Sequence, residues 1–215
     1  MRTVVVVTGA APLDGSAVAA VPPDAPVVAA DGGLDHARAA GLRPSVLVGD
    51  LDSVSAAGLE WAHEHAEVVT HPADKGATDT ELAVAHAAGL GPDRLLLLAG
   101  GGDRLDHALA AVGSLGAPEL AGIPSLEAWW GGDRLHVLHA PGSVELDLNP
   151  GRLFSVLALH GPCRGVTVAG ARWPLADHAL APLVGLGVSN EAVERPVSVS
   201  VTAGILTVVV PGGAP

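Results

Sequence analysis

The first half of the chain alternates short apolar runs with stretches of helical periodicity. Short runs rich in Val, Leu and Ala are typical of strands that are buried on both faces of a sheet. The stretches between them repeat apolar residues at the spacing of a helix. This alternation predicts a parallel sheet with right-handed helical crossovers. The predicted strands comprise residues 2–7, 27–30, 44–48, 68–71 and 94–99.

Helix signals follow four of these strands. Ser53 is placed to cap the helix that continues through Leu59 and Trp61. Thr78 and Glu81 match a capping box at the start of another helix. The other two predicted helices comprise residues 34–40 and a stretch that ends near residue 115, and the capping-box helix comprises residues 79–88.

The pattern changes near residue 140, where helical periodicity stops. Strands are predicted over residues 143–148, 153–159, 165–169, 197–201 and 205–210, and residues 202–204 are predicted to close a hairpin. We therefore predict an α/β fold in two parts. An N-terminal, parallel-sheet, Rossmann-like domain spans residues 1–140, and a C-terminal all-β sandwich domain spans residues 141–215.

Composition narrows the class of protein. The 215 residues include 23 acidic and 11 basic residues, for a net charge of −12, which argues against general nucleic-acid binding. Hydrophobic residues make up 49% of the chain, yet no apolar stretch has the length of a membrane span or a signal-peptide core. We therefore expect a cytoplasmic protein without a membrane partner. Cys163 is the only cysteine, which excludes an intramolecular disulfide.

Aspartates follow the predicted parallel strands. Asp31 follows the second strand, Asp50 and Asp52 the third, and Asp79 lies in the loop after the fourth. Residues 103–106 add two further aspartates after the fifth strand. The carboxyl ends of parallel strands meet at one edge, where ligands bind. Gathered carboxylates repel one another unless a cation holds them, and oxygen ligands favour Mg²⁺ over zinc. A magnesium-bound nucleoside triphosphate is the predicted ligand; alternatively, the aspartates only shape turns.

Candidate phosphate ligands lie in the same loops. Lys75 is the only lysine in the chain, and a compact, mobile ammonium suits phosphate; alternatively, it is a solvated surface residue. Gly32 and Gly33 allow close backbone approach to a ligand at a helix start. Arg104 can clamp phosphate oxygens through two hydrogen bonds, or it can pair with Asp103 or Asp106 in a solvated loop.

One tryptophan stands out in the predicted β domain. The chain has no Tyr and one Phe, so Trp173 in a polar loop is a candidate for stacking on a flat ring. Ser189 and Asn190 would supply hydrogen bonds to the same ligand. The alternative is that Trp173 fills the core of the sandwich.

Six motifs, in this order along the chain, resemble those of the thiamine pyrophosphokinase (thiamine diphosphokinase) family. The resemblance covers nearly the whole sequence, with two departures. Gly76 stands where the family usually has an Asp, and Ala110 and Ala111 stand where it usually has an Asn. The motifs are Ala30-Asp31-Gly32-Gly33, Gly49-Asp50-Leu51-Asp52-Ser53, Asp74-Lys75-Gly76-Ala77-Thr78-Asp79-Thr80-Glu81, Gly101-Gly102-Asp103-Arg104-Leu105-Asp106-His107, Trp173-Pro174-Leu175 and Ser189-Asn190-Glu191.

The resemblance implies a homodimeric enzyme. Its α/β domain would bind Mg-ATP, and the β-sandwich of the other subunit would help to bind thiamine. The implied reaction transfers a pyrophosphoryl group from ATP to the thiamine hydroxyl and releases AMP. Asp79 and Asp106 are the candidates for a general base.

The resemblance and the loop chemistry together give the predicted site residues. The predicted metal ligands are Asp31, Asp50, Asp52 and Asp79, and the predicted catalytic residues are Asp50, Asp52, Lys75 and Asp79. The predicted ATP-binding residues are Asp31, Gly32, Gly33, Lys75, Thr78, Arg104, Asp106 and His107. The predicted thiamine-binding residues are Trp173, Ser189 and Asn190.

Three other functions stay open at the level of sequence. The first is a pyrophosphokinase of the same type that acts on another heterocyclic alcohol. The second is a nucleotide-sugar enzyme, since Asp-x-Asp motifs also hold metals there. The third is a non-catalytic homologue that binds thiamine or nucleotide, for which the only support is Gly76.

Overall fold

The structure is a computed structural model that describes residues 1–101 and 104–213. The chain divides into two compact units, Met1–Gly132 and Asp133–Pro215. The predicted domain boundary after residue 140 lies inside the second unit, because the strand over residues 133–139 belongs to that unit.

In the described part of the N-terminal unit, six strands pair in parallel. The inner strands are buried along their whole length, as expected when helices cover both faces of a sheet. The five strands expected from the sequence are confirmed, and a sixth, over residues 125–130, was not predicted. The strands are β1 (Thr3–Val7), β2 (Val27–Ala30), β3 (Val46–Gly49), β4 (Glu67–Thr70), β5 (Arg94–Ala99) and β6 (Ser125–Trp130), in the spatial order β6-β5-β1-β2-β3-β4.

The helices of this unit connect the strands. They are α1 (Gly15–Ala19), α2 (Gly33–Ala39), α3 (Ala56–His65), α4 (Asp79–Gly89) and α5 (Leu105–Ser114), with a 3₁₀ helix over Pro118–Leu120. The predicted capping box is confirmed: the Thr78 hydroxyl accepts a hydrogen bond from the Glu81 amide, and the Glu81 carboxylate accepts one from the Thr78 amide. None of the described helices is long and apolar enough to cross a membrane.

The predicted cap of α3 is wrong by two residues. Ser55, not Ser53, accepts the hydrogen bond from the Gly58 amide, at 2.9 Å. Ser53 belongs to the loop before the helix, where its hydroxyl donates to the Asp52 carboxylate at 2.8 Å. The sequence offers two serines close together, and only the path of the loop decides between them.

Within residues 133–213, eight strands form two antiparallel sheets. One has the order β12-β9-β14-β7 and the other the order β11-β10-β13-β8. The sheets share one apolar core, to which Phe154 and Leu206 contribute from the first sheet and Val166 and Val199 from the second. This arrangement is sandwich-like. The strands are β7 (Asp133–His139), β8 (Gly142–Leu146), β9 (Leu153–Leu157), β10 (Cys163–Ala169), β11 (Leu175–Leu180), β12 (Asn190–Glu191), β13 (Val197–Val201) and β14 (Ile205–Val210).

The hairpin predicted at residues 202–204 is wrong. The strands on either side, β13 and β14, do not pair with each other. Strand β13 pairs with β8 and β10, whereas β14 pairs with β7 and β9. The turn therefore carries the chain from one sheet to the other, and Ala203 forms an isolated bridge to Arg164. The short connection between the two strands favours a hairpin. Burial of the apolar faces of both strands in one core favours their placement in two different sheets.

Candidate active site

Three carboxylates of the N-terminal unit meet near the carboxyl ends of its strands. Asp31 follows β2, Asp50 follows β3 and Asp79 begins α4. One oxygen from each lies within 4.8 Å of the others. Oδ1 of Asp50 is buried and has no hydrogen-bond partner among the described residues. An oxygen-only ligand set with an unused buried oxygen fits a hard divalent cation such as Mg²⁺.

The backbone allows these side chains to approach. Gly49 has a φ of +155°, and a Cβ at this position would lie only 3.0 Å from Oδ1 of Asp79 and 3.1 Å from Cβ of Asp31. A side chain at residue 49 would therefore push the cluster apart. Asp31 itself has a φ of +46°, in the left-handed region that Asp tolerates better than most residues. Such a conformation is retained where the surroundings hold it in place.

Lys75 lies between two members of the cluster. Its Nζ is 2.9 Å from Oδ2 of Asp50 and 3.0 Å from Oδ1 of Asp79. The side chains of Lys75 and Asp50 are only 12% and 15% exposed. The hydrogen bond from Lys75 holds the pKa of Asp50 below its ordinary value. Burial alone would lower the pKa of Lys75, but its contacts with the two carboxylates raise it.

Asp31 has a different environment. Burial raises the pKa of the Asp31 carboxyl, and the nearby charge of Asp79 raises it further, while hydrogen bonds from Ser53 oppose both effects. Ionisation of such a buried carboxyl is costly without a counter-charge, and a bound cation makes it favourable. Asp31 therefore adds to the case for a cation at this cluster.

A cavity of about 440 Å³ lies beside the cluster in the N-terminal unit. Seven predicted site residues line it, namely Asp31, Gly32, Lys75, Thr78, Asp79, Arg104 and His107. The sequence analysis did not identify other lining residues, chief among them Thr8 and Gly9 after β1 and Trp130 at the end of β6. The first predicted strand was the signal for Thr8 and Gly9. In the sheet, β1 lies beside β2, so its carboxyl end faces the same edge as those of β2 and β3.

Two predicted residues lie apart from the cluster. Asp52 is exposed and is not a member of the metal-competent group found among the described residues. Gly33 packs against β1, where a Cβ would come within 2.2 Å of the Val7 carbonyl oxygen, so glycine is required there by packing. The metal role of Asp52 and the ATP role of Gly33 stay predictions.

The fourth motif is described only in part, since Gly102 and Asp103 lie outside the described residues. Arg104 forms two hydrogen bonds to Asp106, from Nη2 to Oδ2 at 2.6 Å and from Nε to Oδ1 at 3.2 Å. The guanidinium holds the pKa of Asp106 well below its usual range. The pairing with Asp106 considered from the sequence is therefore present, and Arg104 also lines the cavity.

A brace supports the loop that carries Asp50. The Asp35 carboxylate accepts hydrogen bonds from the amide and the hydroxyl of Ser55, both at 2.8 Å. This contact joins α2 to Ser55, the residue at which the loop after β3 meets α3, and so fixes that end of the loop. Asp35 and Ser55 lie 20 residues apart in the chain, and neither belongs to a motif that marks the contact.

The predicted thiamine-binding residues lie close together in the C-terminal unit. The Trp173 side chain is 54% exposed, so the alternative that it fills the core is wrong. Asn190 is 4% exposed and holds the backbone of Trp173: its Oδ1 accepts from the Trp173 amide at 3.1 Å, and its Nδ2 donates to the Trp173 carbonyl at 2.8 Å. The guanidinium carbon of Arg172 lies 5.0 Å from the indole centroid. The Ser189 amide donates to Ser155 at 3.1 Å.

Solved structures with the same fold cover the whole chain. The thiamin pyrophosphokinase family protein of Enterococcus faecalis has a TM-score of 0.81 and 25% identity, with 100% of each chain covered. The thiamin pyrophosphokinase of Geobacillus thermodenitrificans has a TM-score of 0.81 and 25% identity, with 99% of each chain covered. The enzyme of Bacillus subtilis, at 20% identity, has a TM-score of 0.83 over 99% of this chain and 100% of its own, which shows the fold alone. No curated protein matches in sequence.

Two family descriptions match separate parts of the sequence. Residues 23–123 match "Thiamin pyrophosphokinase, catalytic domain". Residues 136–206 match "Thiamin pyrophosphokinase, vitamin B1 binding domain". The two matches follow each other along the chain, and each falls entirely within one of its compact units. Both parts thus point to the same kind of enzyme, and this chain belongs to the thiamin pyrophosphokinase family.

Proposed function

We propose that this enzyme transfers a pyrophosphoryl group from Mg-ATP to the hydroxyl of thiamine, giving thiamine diphosphate and AMP. The observation that carries the proposal is the convergence of Asp31, Asp50 and Asp79 beside the cavity. Family membership supports the substrate class. We also propose that the N-terminal domain is Rossmann-like and ends after residue 140, and that the protein is cytoplasmic.

The carboxylates are proposed to hold the metal. A divalent cation bound to Asp31, Asp50 and Asp79 would neutralise charge on the polyphosphate during transfer. The three side chains would fix the position of that cation before substrate arrives, since two strand ends and the start of α4 hold them. Asp52 stays a proposed metal residue, and its role is tested against that of Asp50 below.

The cationic side chains are proposed to hold the polyphosphate. Lys75 and Arg104 both line the cavity, and phosphoryl-group transfers depend mainly on positioning and charge neutralisation. For AMP to leave, the thiamine hydroxyl must attack the β-phosphorus in line with the departing oxygen. Of the two candidate bases, Asp79 lines the cavity, whereas Asp106 is exposed, paired with Arg104 and a weak base. We favour Asp79.

Thiamine is proposed to stack on Trp173. Its flat pyrimidine and cationic thiazolium both suit an indole face. Asn190 would act by fixing the backbone of Trp173, because its amide oxygen and nitrogen are already engaged there. Ser189 remains the proposed direct hydrogen-bonding partner. We further propose a homodimer in which the loop that carries Trp173 places thiamine against the ATP bound by the other subunit.

A substrate panel tests the proposal. Purified protein is mixed with ATP and Mg²⁺ and with thiamine or one of several other heterocyclic alcohols, and AMP is measured. We expect AMP only with thiamine. AMP with another alcohol would favour a pyrophosphokinase of different specificity. Tight binding of both substrates without AMP would favour a non-catalytic homologue. A parallel assay with a nucleotide sugar and Mg²⁺ covers the remaining alternative, which turnover of that sugar would favour.

A further inference from the structure

The cluster already contains a cation of its own. The ammonium of Lys75 contacts one oxygen of Asp50 at 2.9 Å and one of Asp79 at 3.0 Å, and little of its side chain reaches solvent. This is the only lysine in a chain with ten arginines. The next residue, Gly76, is exposed, and a Cβ built there would meet no atom within 4 Å.

An ammonium and a divalent cation compete for the same oxygens here. Oδ1 of Asp79 is both the contact of Lys75 and part of the side chain that fits a metal, and Asp50 is likewise shared. Three carboxylates whose oxygens lie within 4.8 Å of one another repel strongly without a counter-charge. Lys75 supplies one positive charge to this group, which lowers the repulsion but leaves Oδ1 of Asp50 without a partner among the described residues.

We propose that Lys75 is a tethered counter-cation: it holds Asp50 and Asp79 in position before the metal binds, yields them to the divalent cation, and then contacts the polyphosphate. Its flexible four-carbon stem allows this exchange, which the planar fork of an arginine would not reproduce. The last step rests on the proposed function, while the competition with the metal does not. Lys75 thus neutralises Asp50 and Asp79 until the metal displaces it, and it then becomes a phosphate ligand.

The single lysine makes the exchange directly observable. Protein that carries lysine labelled with ¹³C at the ε carbon gives one side-chain NMR signal, which belongs to Lys75. Titration with Mg²⁺ alone, without nucleotide or thiamine, should move this signal toward the position of a solvent-exposed lysine. Inorganic triphosphate added afterwards should shift it again. A signal that stays in place while calorimetry shows Mg²⁺ binding would overturn the inference.

Metal affinity gives a second, independent test. Without the ammonium, Lys75→Met should bind Mg²⁺ on the order of tenfold more tightly than the natural protein, because its carboxylates are always available. Lys75→Gln keeps a polar group of similar length and guards against misfolding of the first variant; it should show the same direction. Arg43→Met is the matched control, since it removes one positive charge from an exposed residue before β3, away from Asp50 at the other end of that strand. Equal or weaker Mg²⁺ binding in both Lys75 variants would overturn the competition.

The cation exchange and the proposed reaction can fail independently of each other. Failure of the natural protein to form AMP, together with tighter Mg²⁺ binding in the Lys75 variants, would overturn the reaction and leave the exchange of cations standing. AMP formation by the natural protein, with unchanged Mg²⁺ binding in the variants, would overturn the exchange alone.

Discussion

The carboxylate cluster and the Trp173 loop are built in opposite ways. In the cluster, the functional groups themselves are sheltered, and Asp31 is only 8% exposed. In the loop, the indole is 54% exposed, and the sheltered group is Asn190, which fixes the backbone behind it. The cluster therefore depends on the charge of each side chain, whereas the loop depends on the placement of one ring.

In both regions, nevertheless, a positively charged side chain of the protein contacts the group that is proposed to bind the ligand. Lys75 contacts Asp50 and Asp79, and Arg172 stacks on the Trp173 ring. The Lys75 side chain is 12% exposed, whereas that of Arg172 is 59% exposed. Water competes with the second contact far more than with the first. Displacing Arg172 should therefore cost little, and displacing Lys75 should require a strongly charged ligand.

The largest expected effect separates Asp50 from Asp52. Asp50→Asn removes a charge from the sheltered cluster and should lower the rate of AMP formation about a thousandfold, the scale of a lost electrostatic contact in a reacting site. Asp52→Asn alters an exposed side chain two residues away and should lower it by about tenfold or less. Steady-state rates at saturating ATP, Mg²⁺ and thiamine measure both. Equal losses would place Asp52 in the metal site, as the sequence predicts, and contradict the geometry.

Trp173→Ala should act on substrate affinity instead. Loss of ring stacking should raise the KM for thiamine about tenfold, with little change in the KM for ATP. The melting temperature should hardly move, because the side chain is largely exposed. Leu186→Ala is a matched control, since it truncates another exposed apolar residue of the same unit. A large loss of stability with an unchanged KM for thiamine would show that Trp173 serves the fold alone.

Mixing two variants tests whether the regions act across subunits. Random pairing of Asp50→Asn and Trp173→Ala chains makes half of the dimers mixed, and one site in each mixed dimer is intact. Assayed at low thiamine, the mixture should exceed the mean of the separate variants about fivefold after subunit exchange. Activity equal to that mean, with exchange verified by mass, would argue that each subunit builds its own site.

Sequence patterns recovered most strands but not their pairing. Apolar runs such as Val27–Ala30 and Arg94–Ala99 are unmistakable because both faces of these strands are buried. Strand β6 was missed because it carries Glu127, a buried charge with which Arg94 of the neighbouring strand pairs at 2.8 Å. Strand β11 was missed because most of it is exposed. A buried ion pair and an exposed strand leave no apolar pattern to read.

The candidate site was predictable to a similar degree. The strand-end rule brings Asp31 and Asp50 to one edge from sequence order alone. No feature of the neighbouring sequence shows that Asp50 joins the cluster and Asp52 does not. The path of the backbone after Gly49 decides which of the two side chains reaches the other carboxylates. The contact of Lys75 with Asp50 spans 25 residues, and it depends on the path of a loop that sequence patterns do not specify.

The smallest expected effect comes from an ion pair far from any catalytic role. The guanidinium of Arg195 holds the pKa of Asp147 below its ordinary value. A depressed folded-state pKa stabilises the fold above the unfolded pKa of about 3.9 and stops doing so as the pH falls through the folded-state value. Asp147→Asn should therefore lose a little stability near neutral pH and none in strong acid. Urea melts across pH measure this, with Glu145→Gln as the exposed control on the same segment. A difference that persists in strong acid would contradict the ion-pair account.

Phosphorus NMR of the complete reaction distinguishes pyrophosphoryl transfer from phosphoryl transfer. With ATP, Mg²⁺ and thiamine, the natural protein should produce AMP and thiamine diphosphate in equal amounts, and Asp50→Asn should produce both about a thousandfold more slowly. Formation of ADP with thiamine monophosphate would contradict attack at the β-phosphorus. Equal turnover by Asp50→Asn would contradict the role of the carboxylate cluster.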